Sequence, residues 1–357
     1  MNGPQVLPNL AKGRFGASRL VQWCAAQQNW DRIHYDQAFA QASGLLERVV
    51  NGALKQHLLV QFLERAFDNR GWVWRLDFSF LAPDWVDEAL EARGRIVSSQ
   101  RCDALELRRV ELEIWNVDQQ AANTRAVAVV VIDTDADRPL LALPDIGLPA
   151  ELMLDRQIQA PDPGLPSQVA ERIGTVVEAE ESLYPLSPSR LRLFAEAVGD
   201  CPDFQFELAA GASSAHGRLV APALFPIHAI ELAPGSRPLD PSARATGREG
   251  SSEIGRNLAA RLCLAGNAAL NGGNSVEIHS LLAVGERVRA ESRLAAVRGR
   301  ASRRGGRLLI IESLNEYRVA GSERLLLRER SKAIHASDGV AGEPYPWEST
   351  TRNAKPK

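Results

Sequence analysis

Apolar and polar positions follow the same order twice along the chain, with helical spacing first and two-residue alternation afterwards. In the first half, apolar residues recur at intervals of three and four in the segments 17–27, 37–43 and 53–68. Alternation with a period of two then predicts strands at 72–81, 93–97, 105–115 and 124–132. Because segment 53–68 is apolar on most of its sides, we expect a buried helix with the strands wrapped around it.

The second half repeats this order. Helical spacing predicts helices at 190–198 and 254–270, with Asn271-Gly272-Gly273 ending the second one. Predicted strands follow at 275–281, 287–298, 307–319 and 324–333. An order of elements that occurs twice without obvious sequence identity indicates an internal structural repeat. We therefore expect an α+β protein in which each repeat is an antiparallel sheet around a central helix.

These patterns divide the chain of 357 residues into four parts. The first repeat covers residues 1–135 and the second covers residues 171–337. Six prolines between residues 139 and 166 predict that 136–170 is a linker laid over the surface. The polar segment 338–357 is predicted to be a flexible tail.

Composition excludes several classes of protein. The net charge of −2 argues against a dedicated nucleic-acid-binding protein, which would carry a strongly basic balance. No run of about 18 apolar residues predicts a membrane span, and the first residues lack the pattern of a signal peptide. The four cysteines have no Cys-x-x-Cys spacing, which is typical of unpaired thiols in a reducing compartment. We expect a cytoplasmic protein.

Residues 29–36 place a histidine and carboxylates in one short polar loop. His34 is suited to proton transfer because imidazole titrates near neutral pH, and Asp31 is the only carboxylate within five residues before it. Farther along, Asn51-Gly52 opens the long apolar helix. A helix N-terminus presents unpaired backbone N–H groups, and glycine lets a ligand approach them closely.

The loop carries a family resemblance. Its pattern Asn29-x-Asp31-x-Ile33-His34-x-Asp36-x-x-Phe39-Ala40 resembles the Asp-x-Asn-Pro-Leu-His-x-Asp-x-x-Phe-Ala signature of MaoC-like (R)-specific enoyl-CoA hydratases. The segment 49–54, Val-Val-Asn-Gly-Ala-Leu, is similar to the Val-x-His-Gly-x-Leu of that family. The likeness is closest to the mesaconyl-CoA hydratase-like branch, whose Arg-Ile-His-Tyr-Asp is identical to residues 32–36.

The second half resembles the dehydratase N-terminal type of partner repeat. Residues 195–200 are similar to its Ala-x-Ala-x-Gly-Asp, and residues 221–226 to its Ala-Pro-Pro-x-Phe-Pro. Residues 277–281 and Gly285-Glu286 are similar to its Glu-x-His-x-Pro-Leu followed by Gly-Asp. The combined resemblance covers residues from about 15 to 335 and implies a double hot-dog fold.

The resemblance implies a hydro-lyase that hydrates a 2-enoyl thioester or dehydrates a 3-hydroxyacyl thioester. His34 would be the acid or base, and the backbone N–H groups of Gly52 and Ala53 would bind the thioester oxygen. Asn29 would hold the water or orient the imidazole. Asn51 would contact the acyl group or fill the space of the family's missing histidine. The substrate would be a thioester of coenzyme A or of an acyl-carrier protein, and we infer no metal or redox cofactor.

Several alternatives stay open at this point. Asn29 stands where general hydratases have an aspartate, so Asp31 either supplies the missing carboxylate or is an ordinary turn residue. Arg303 and Arg304 either lie in a solvated turn or bind coenzyme A phosphates. A degenerate hot-dog that binds acyl thioesters or a partner without catalysis is the main rival function. A thioesterase is a weaker alternative from fold analogy. The oligomeric state is open, with a homodimer as one alternative.

Overall fold

A computed structural model describes residues 4–134, 139–144, 148–230, 253–255, 258–262, 264, 270–301 and 307–337. The predicted tail 338–357 and the pair Arg303 and Arg304 lie outside the described residues. Within the described ranges, no helix is long and apolar enough to cross a membrane.

The first repeat places two short strands and three helices before four longer strands. Its first elements are β1 (Gln5–Val6), β2 (Leu10–Arg14), α1 (Ala17–Gln27), a 3₁₀ turn (Arg32–His34), α2 (Gln37–Ala42) and α3 (Gly52–Ala66). The longer strands are β3 (Trp72–Phe80), β4 (Ala89–Cys102), β5 (Leu105–Asn116) and β6 (Ala121–Asp133). Strands β4, β5 and β6 pair in chain order, and β3 pairs with β6. Helix α3 has buried residues on every side, as its apolar pattern predicts.

The second repeat has a similar order of elements, with one strand before its helices. After a 3₁₀ turn (Ala150–Leu152) and α4 (Ser167–Ala170) come β7 (Val176–Glu181), α5 (Pro188–Val198), a 3₁₀ turn (Asp203–Gln205), α6 (Leu208–Ser213), a 3₁₀ turn (Phe225–His228) and α7 (Leu258–Arg261). Its longer strands are β8 (Leu270–Ile278), β9 (Val288–Ala301), β10 (Arg307–Val319) and β11 (Leu325–Ser337). Strands β9, β10 and β11 pair in chain order, and β8 pairs with β11.

All eleven strands belong to one antiparallel sheet. The order is β1-β4-β5-β6-β3-β8-β11-β10-β9-β7, with β2 also paired to β4. Strands β3 and β8 join the two repeats, and Arg75 lies opposite Glu277 at this junction. The expected α+β architecture of antiparallel strands and helices is thus confirmed, with the sheets of the two repeats continuous.

A constant offset relates the helical parts of the repeats. Helices α1 and α5 begin at residues 17 and 188, the two 3₁₀ turns at 32 and 203, and α2 and α6 at 37 and 208, an offset of 171 residues in each case. Within these helical parts, residues that differ by 171 therefore occupy equivalent places. The repeat inferred from hydrophobic patterning is a repeat in three dimensions.

The prediction of one helix over 254–270 is wrong. Helix α7 covers Leu258–Arg261, the described residues Ile254 and Leu264 are not helical, and Asn271-Gly272-Gly273 lies inside β8 instead of ending a helix. At the end of this Ala/Leu-rich stretch, pairing with β11 overrides the local helix propensity, since Leu270 lies opposite Ile334. Gly273 has a positive φ of 103°, and a Cβ there would collide with the Phe78 carbonyl oxygen. Glycine is therefore required where β8 approaches β3.

Candidate functional site

Short-range hydrogen bonds shape the polar loop between α1 and α2. The Asn29 amide oxygen accepts a bond from the Asp31 backbone N–H at 3.1 Å, and the Asp31 carboxylate accepts one from the Ile33 N–H at 3.3 Å. Asp31 thereby caps the 3₁₀ turn that contains His34. The loop is a chain of side-chain-to-backbone turns, as its Asn/Asp content favours.

The ring of His34 is buried and oriented by the backbone. The side chain is 8 % exposed, and Nδ1 lies 2.8 Å from the carbonyl oxygen of Val49. A carbonyl oxygen only accepts hydrogen bonds, so the neutral ring carries its proton on Nδ1. Nε2 is then the basic nitrogen, which is the form that a general base requires.

The next carboxylate, Asp36, has a structural role. It accepts a bond from the Phe39 N–H at 3.0 Å as the N-cap of α2, and it pairs with Arg32 at 2.5 Å. The Phe39 bond and then Arg32 lower the pKa of this carboxyl group. Asp36 thus holds the loop against α2.

Helix α3 begins at Gly52, three residues after Val49, the hydrogen-bond partner of His34. Asn51 is its N-cap, and the side-chain oxygen of Asn51 accepts a bond from the Ala53 N–H at 2.8 Å. The Gly52 N–H has no acceptor among the described residues. Of the two backbone donors expected here, Ala53 already has a partner and Gly52 is the one that a ligand oxygen would meet.

Phe80 covers Gly52. A Cβ added to Gly52 would lie 2.9 Å from Cζ and 3.0 Å from Cε2 of the Phe80 ring. The Nζ of Lys55, one turn farther along α3, lies 4.8 Å from the centre of the same ring. The glycine therefore brings the start of the helix into contact with an aromatic wall.

A buried polar network fixes this helix start, and the sequence analysis did not anticipate it. The Lys55 ammonium lies 2.7 Å from the Asp84 carboxylate, and the two side chains are 3 % and 0 % exposed. Asp84 also accepts bonds from the side chains of Asn116 and Asn123, at 2.8 and 2.9 Å. Its carbonyl oxygen accepts the Val50 N–H at 2.8 Å. A lysine near the start of a helix predicted to be buried on most of its sides was the signal that could have revealed this network.

Hydrogen bonds link several of the predicted site residues to the backbone around them. His34 is bonded to Val49, which precedes Asn51 and Gly52 by two and three residues. Asn29 is 1 % exposed, and its side-chain oxygen accepts the Asp31 N–H within the same loop. The roles assigned to these residues stay predictions.

The thiol nearest the loop is unreactive. Cys24 is buried at the end of α1, and burial, followed by the charge of Asp31, raises its pKa to about 12. A thiol in this state is not a nucleophile at neutral pH. The residues that the structure describes contain no cluster of His, Cys, Asp and Glu able to hold a metal ion.

Comparison of the sequence with family models finds one match. The FAS1-like dehydratase domain region matches residues 171–325, which lie in the second repeat. A search of curated proteins finds no match to this chain.

Solved structures resemble the whole chain at low sequence identity. A protein named as a MaoC domain dehydratase from Chloroflexus aurantiacus J-10-fl is 11% identical, with a TM-score of 0.61 over 95% of this chain and 96% of that one. A MaoC-like dehydratase from Phytophthora capsici is 10% identical, with a TM-score of 0.51 over 94% and 97%.

A third similar structure is described as having a double hotdog fold. It is a conserved hypothetical protein from Mycobacterium tuberculosis with a double hotdog fold, 14% identical, with a TM-score of 0.54 over 94% of this chain and 97% of that one. At such identities structural likeness establishes fold alone. This chain has the double hot-dog fold, and its second half matches the FAS1-like dehydratase domain region.

Proposed function

We propose that this protein is a MaoC-like hydro-lyase that hydrates 2-enoyl thioesters, or dehydrates 3-hydroxyacyl thioesters, at the His34 loop. The observation that carries the proposal is the His34–Val49 hydrogen bond, because it leaves Nε2 as the basic nitrogen of a neutral ring. The dehydratase-region match and the MaoC-like structures support the same reaction class.

Hydration at this site would use one base and one oxyanion donor. Nε2 of His34 takes a proton from water as the water oxygen bonds to C3 of the enoyl group. The π electrons of the C2–C3 bond move towards the thioester, and its oxygen becomes negative. The Gly52 N–H, at the positive end of α3, stabilises that charge. The imidazolium of His34 then returns the proton to C2, and the reverse sequence is dehydration.

In this proposal Asn29 and Asp31 have supporting roles towards the water and the imidazole. Asn29 is buried beside the loop and its amide orients the attacking water, because an amide accepts and donates hydrogen bonds without taking a proton. One Asp31 oxygen caps the 3₁₀ turn, and the carboxylate raises the basicity of the imidazole by its charge. Asn51 contacts the acyl group from the N-cap of α3.

One observation favours the rival function, binding of acyl thioesters without catalysis. The Ala53 N–H is already bonded to Asn51, so one expected oxyanion donor is occupied. Removing one such donor from an enzyme typically costs about 10²–10³ in kcat. A protein with a single oxyanion donor and no aspartate at position 29 would lose hydration rate more readily than affinity for a thioester.

The two functions differ in an absorbance assay with crotonyl-CoA and mesaconyl-CoA. Hydration removes the enoyl chromophore, thioester hydrolysis releases a thiol, and a binding protein does neither. We expect hydration in the wild type and a loss of at least about 10²-fold in kcat in His34→Ala. His279→Gln, a substitution in the second repeat where His279 pairs with Glu277, is the matched control and should retain the rate. Unchanged activity in His34→Ala would disprove the assignment of the base.

A further inference from the structure

A cavity of about 380 Å³ lies between the C-terminal end of α3 and the loop of the second repeat. Its volume is within the range of small-molecule binding pockets. The second repeat contributes Phe204, Gln205 and His216, and the first repeat contributes Glu64 and Trp72. The cavity is thus formed by both repeats.

The repeat offset relates this cavity to the candidate site. Gln205 occupies the place of His34, since each ends the 3₁₀ turn of its repeat. Asp200 occupies the place of Asn29, and its carboxylate is engaged by the buried ammonium of Lys12 at 2.7 Å. The cavity therefore has the location of the candidate site in the other repeat, with an amide in place of the imidazole.

Three polar side chains line the cavity without a hydrogen-bond partner in the described part of the chain. Gln205 is only 2 % exposed, so its amide is nearly removed from solvent. Glu64 is half-buried, and His216 is half-buried with its ring 5.6 Å from that of Phe204. Buried amide groups are almost always hydrogen-bonded in proteins. A cavity bordered by these donors is suited to a ligand with a polar end.

The remaining walls are apolar. Trp72 is buried, and its Nε1 already donates to the Ile278 carbonyl oxygen at 2.8 Å, so the indole offers only carbon surface. Val73, Ile278 and Ala223 are buried beside it. Apolar walls with a few convergent polar groups are typical of sites for small, mainly apolar molecules.

Glu64 can act as a hydrogen-bond donor near neutral pH. Burial raises the pKa of its carboxyl group to about 7, so about half of the molecules carry the proton at pH 7. Cys201 faces it with a thiol whose pKa burial raises to about 12, and burial followed by Arg218 lowers the pKa of His216. At neutral pH both neighbours are uncharged. The charged groups at the cavity rim are Asp68, Arg70 and, beside Glu64 on α3, Arg65.

We propose that this cavity binds an uncharged, mainly apolar molecule through a carbonyl oxygen that accepts hydrogen bonds from Gln205 and Glu64. A carbonyl suits the site because both side chains can donate, whereas a carboxylate ligand would face Glu64 and Asp68. The apolar part of the ligand lies against Trp72 and Ile278. This inference does not rest on the proposed hydratase reaction.

The test measures binding of 2-octanone, which accepts hydrogen bonds and cannot donate them, by isothermal titration calorimetry. We expect affinity about tenfold weaker at pH 8 than at pH 6 in the wild type, because ionised Glu64 no longer donates. Glu64→Gln should bind equally at both pH values, since an amide donates at either. Glu323→Gln, at an exposed turn residue, should retain the wild-type pH dependence.

Two further variants locate the site. Leu281→Trp fills the cavity and should abolish binding, and Gln205→Leu should weaken it about tenfold at pH 6. Thermal unfolding of each variant checks that it is folded. Absence of 2-octanone binding to the wild type at pH 6, undiminished affinity in folded Leu281→Trp, or the same pH dependence in Glu64→Gln would each overturn the proposal.

Discussion

At the scale of single residues, Gly52 determines how closely the start of α3 approaches Phe80. We expect Gly52→Ala to destabilise the protein by about 1–3 kcal/mol, because the new Cβ would lie 2.9 Å from the Phe80 ring and the ring would have to shift. Urea unfolding measures this loss. In a Phe80→Leu background, which removes most of the clashing ring, the added cost of Gly52→Ala should be smaller. An equal cost in both backgrounds would refute the clash.

Asp31 offers a second prediction at this scale. If its carboxylate supports His34, Asp31→Asn should lower the hydration rate at least about tenfold, because the imidazole loses a nearby negative charge. Stability should change little, since asparagine caps the 3₁₀ turn as well as aspartate does. Stopped-flow hydration of crotonyl-CoA and thermal unfolding give the two readouts. A wild-type rate would leave Asp31 with its capping role alone.

The chemistry of individual residues was only partly predictable from sequence. His34 stands out because a loop histidine before a glycine-led helix is an unusual combination. Its protonated nitrogen could not be predicted, since that depends on the carbonyl of Val49, fifteen residues away. No sequence pattern marked Gln205 or Glu64 as residues of a site. They are ordinary polar residues in the sequence, and only the packing of one repeat against the other places them in one cavity.

At the scale of elements, the Lys55–Asp84 pair connects helix α3 to the loop between β3 and β4. Lys55→Met should cost about 3–5 kcal/mol of unfolding free energy, because it leaves the Asp84 carboxylate buried with only amide partners. Lys332→Met, at an exposed position on β11, is the matched control and should change stability by less than about 0.5 kcal/mol. Chemical unfolding of the two variants compares them, and equal stabilities would show that the pair contributes nothing.

Elements with strong local patterns were predictable, and the exceptions have tertiary causes. The turn and helix from Arg32 to Ala42 follow from local caps, Asp31 before the turn and Asp36 before the helix. The helix predicted over 254–270 is wrong for a tertiary reason, because its last residue, Leu270, pairs with Ile334 in the sheet. Strand order was also unpredictable. Alternation identifies which face of β3 is buried and does not identify β8 as its neighbour.

At the scale of the whole molecule, equivalent residues of the two repeats meet at their interface. His57 and His228 differ by the repeat offset, and their Nε2 atoms lie 3.2 Å apart. Trp23 and Phe194, also equivalent, pack beside them with ring centres 5.3 Å apart and ring planes tilted by 57°. Glu253 lies 3.0 Å from Nδ1 of His228. The interface between the repeats therefore contains a titratable pair within an aromatic cluster.

This pair should make the stability of the fused repeats depend on pH. Burial, followed by the charge of His228, lowers the pKa of His57 well below 6.5 in the folded chain. The unfolded chain therefore binds a proton that the folded chain does not, and the stability associated with neutral His57 is complete above pH 6.5 and is lost as the pH falls below it. The slope would reach about 1.4 kcal/mol per pH unit.

Urea unfolding at pH 7, 6 and 5 tests this dependence on the full chain. The unfolding free energy of the wild type should fall more steeply between pH 7 and 5 than that of His57→Leu, which has no imidazole at this position. The pKa of Glu277 is about 2 in the folded protein. Such carboxylates contribute the same pH dependence of the unfolding free energy to the wild type and to His57→Leu, so their contribution cancels in the comparison. Parallel curves would mean that His57 does not couple protonation to the association of the two repeats.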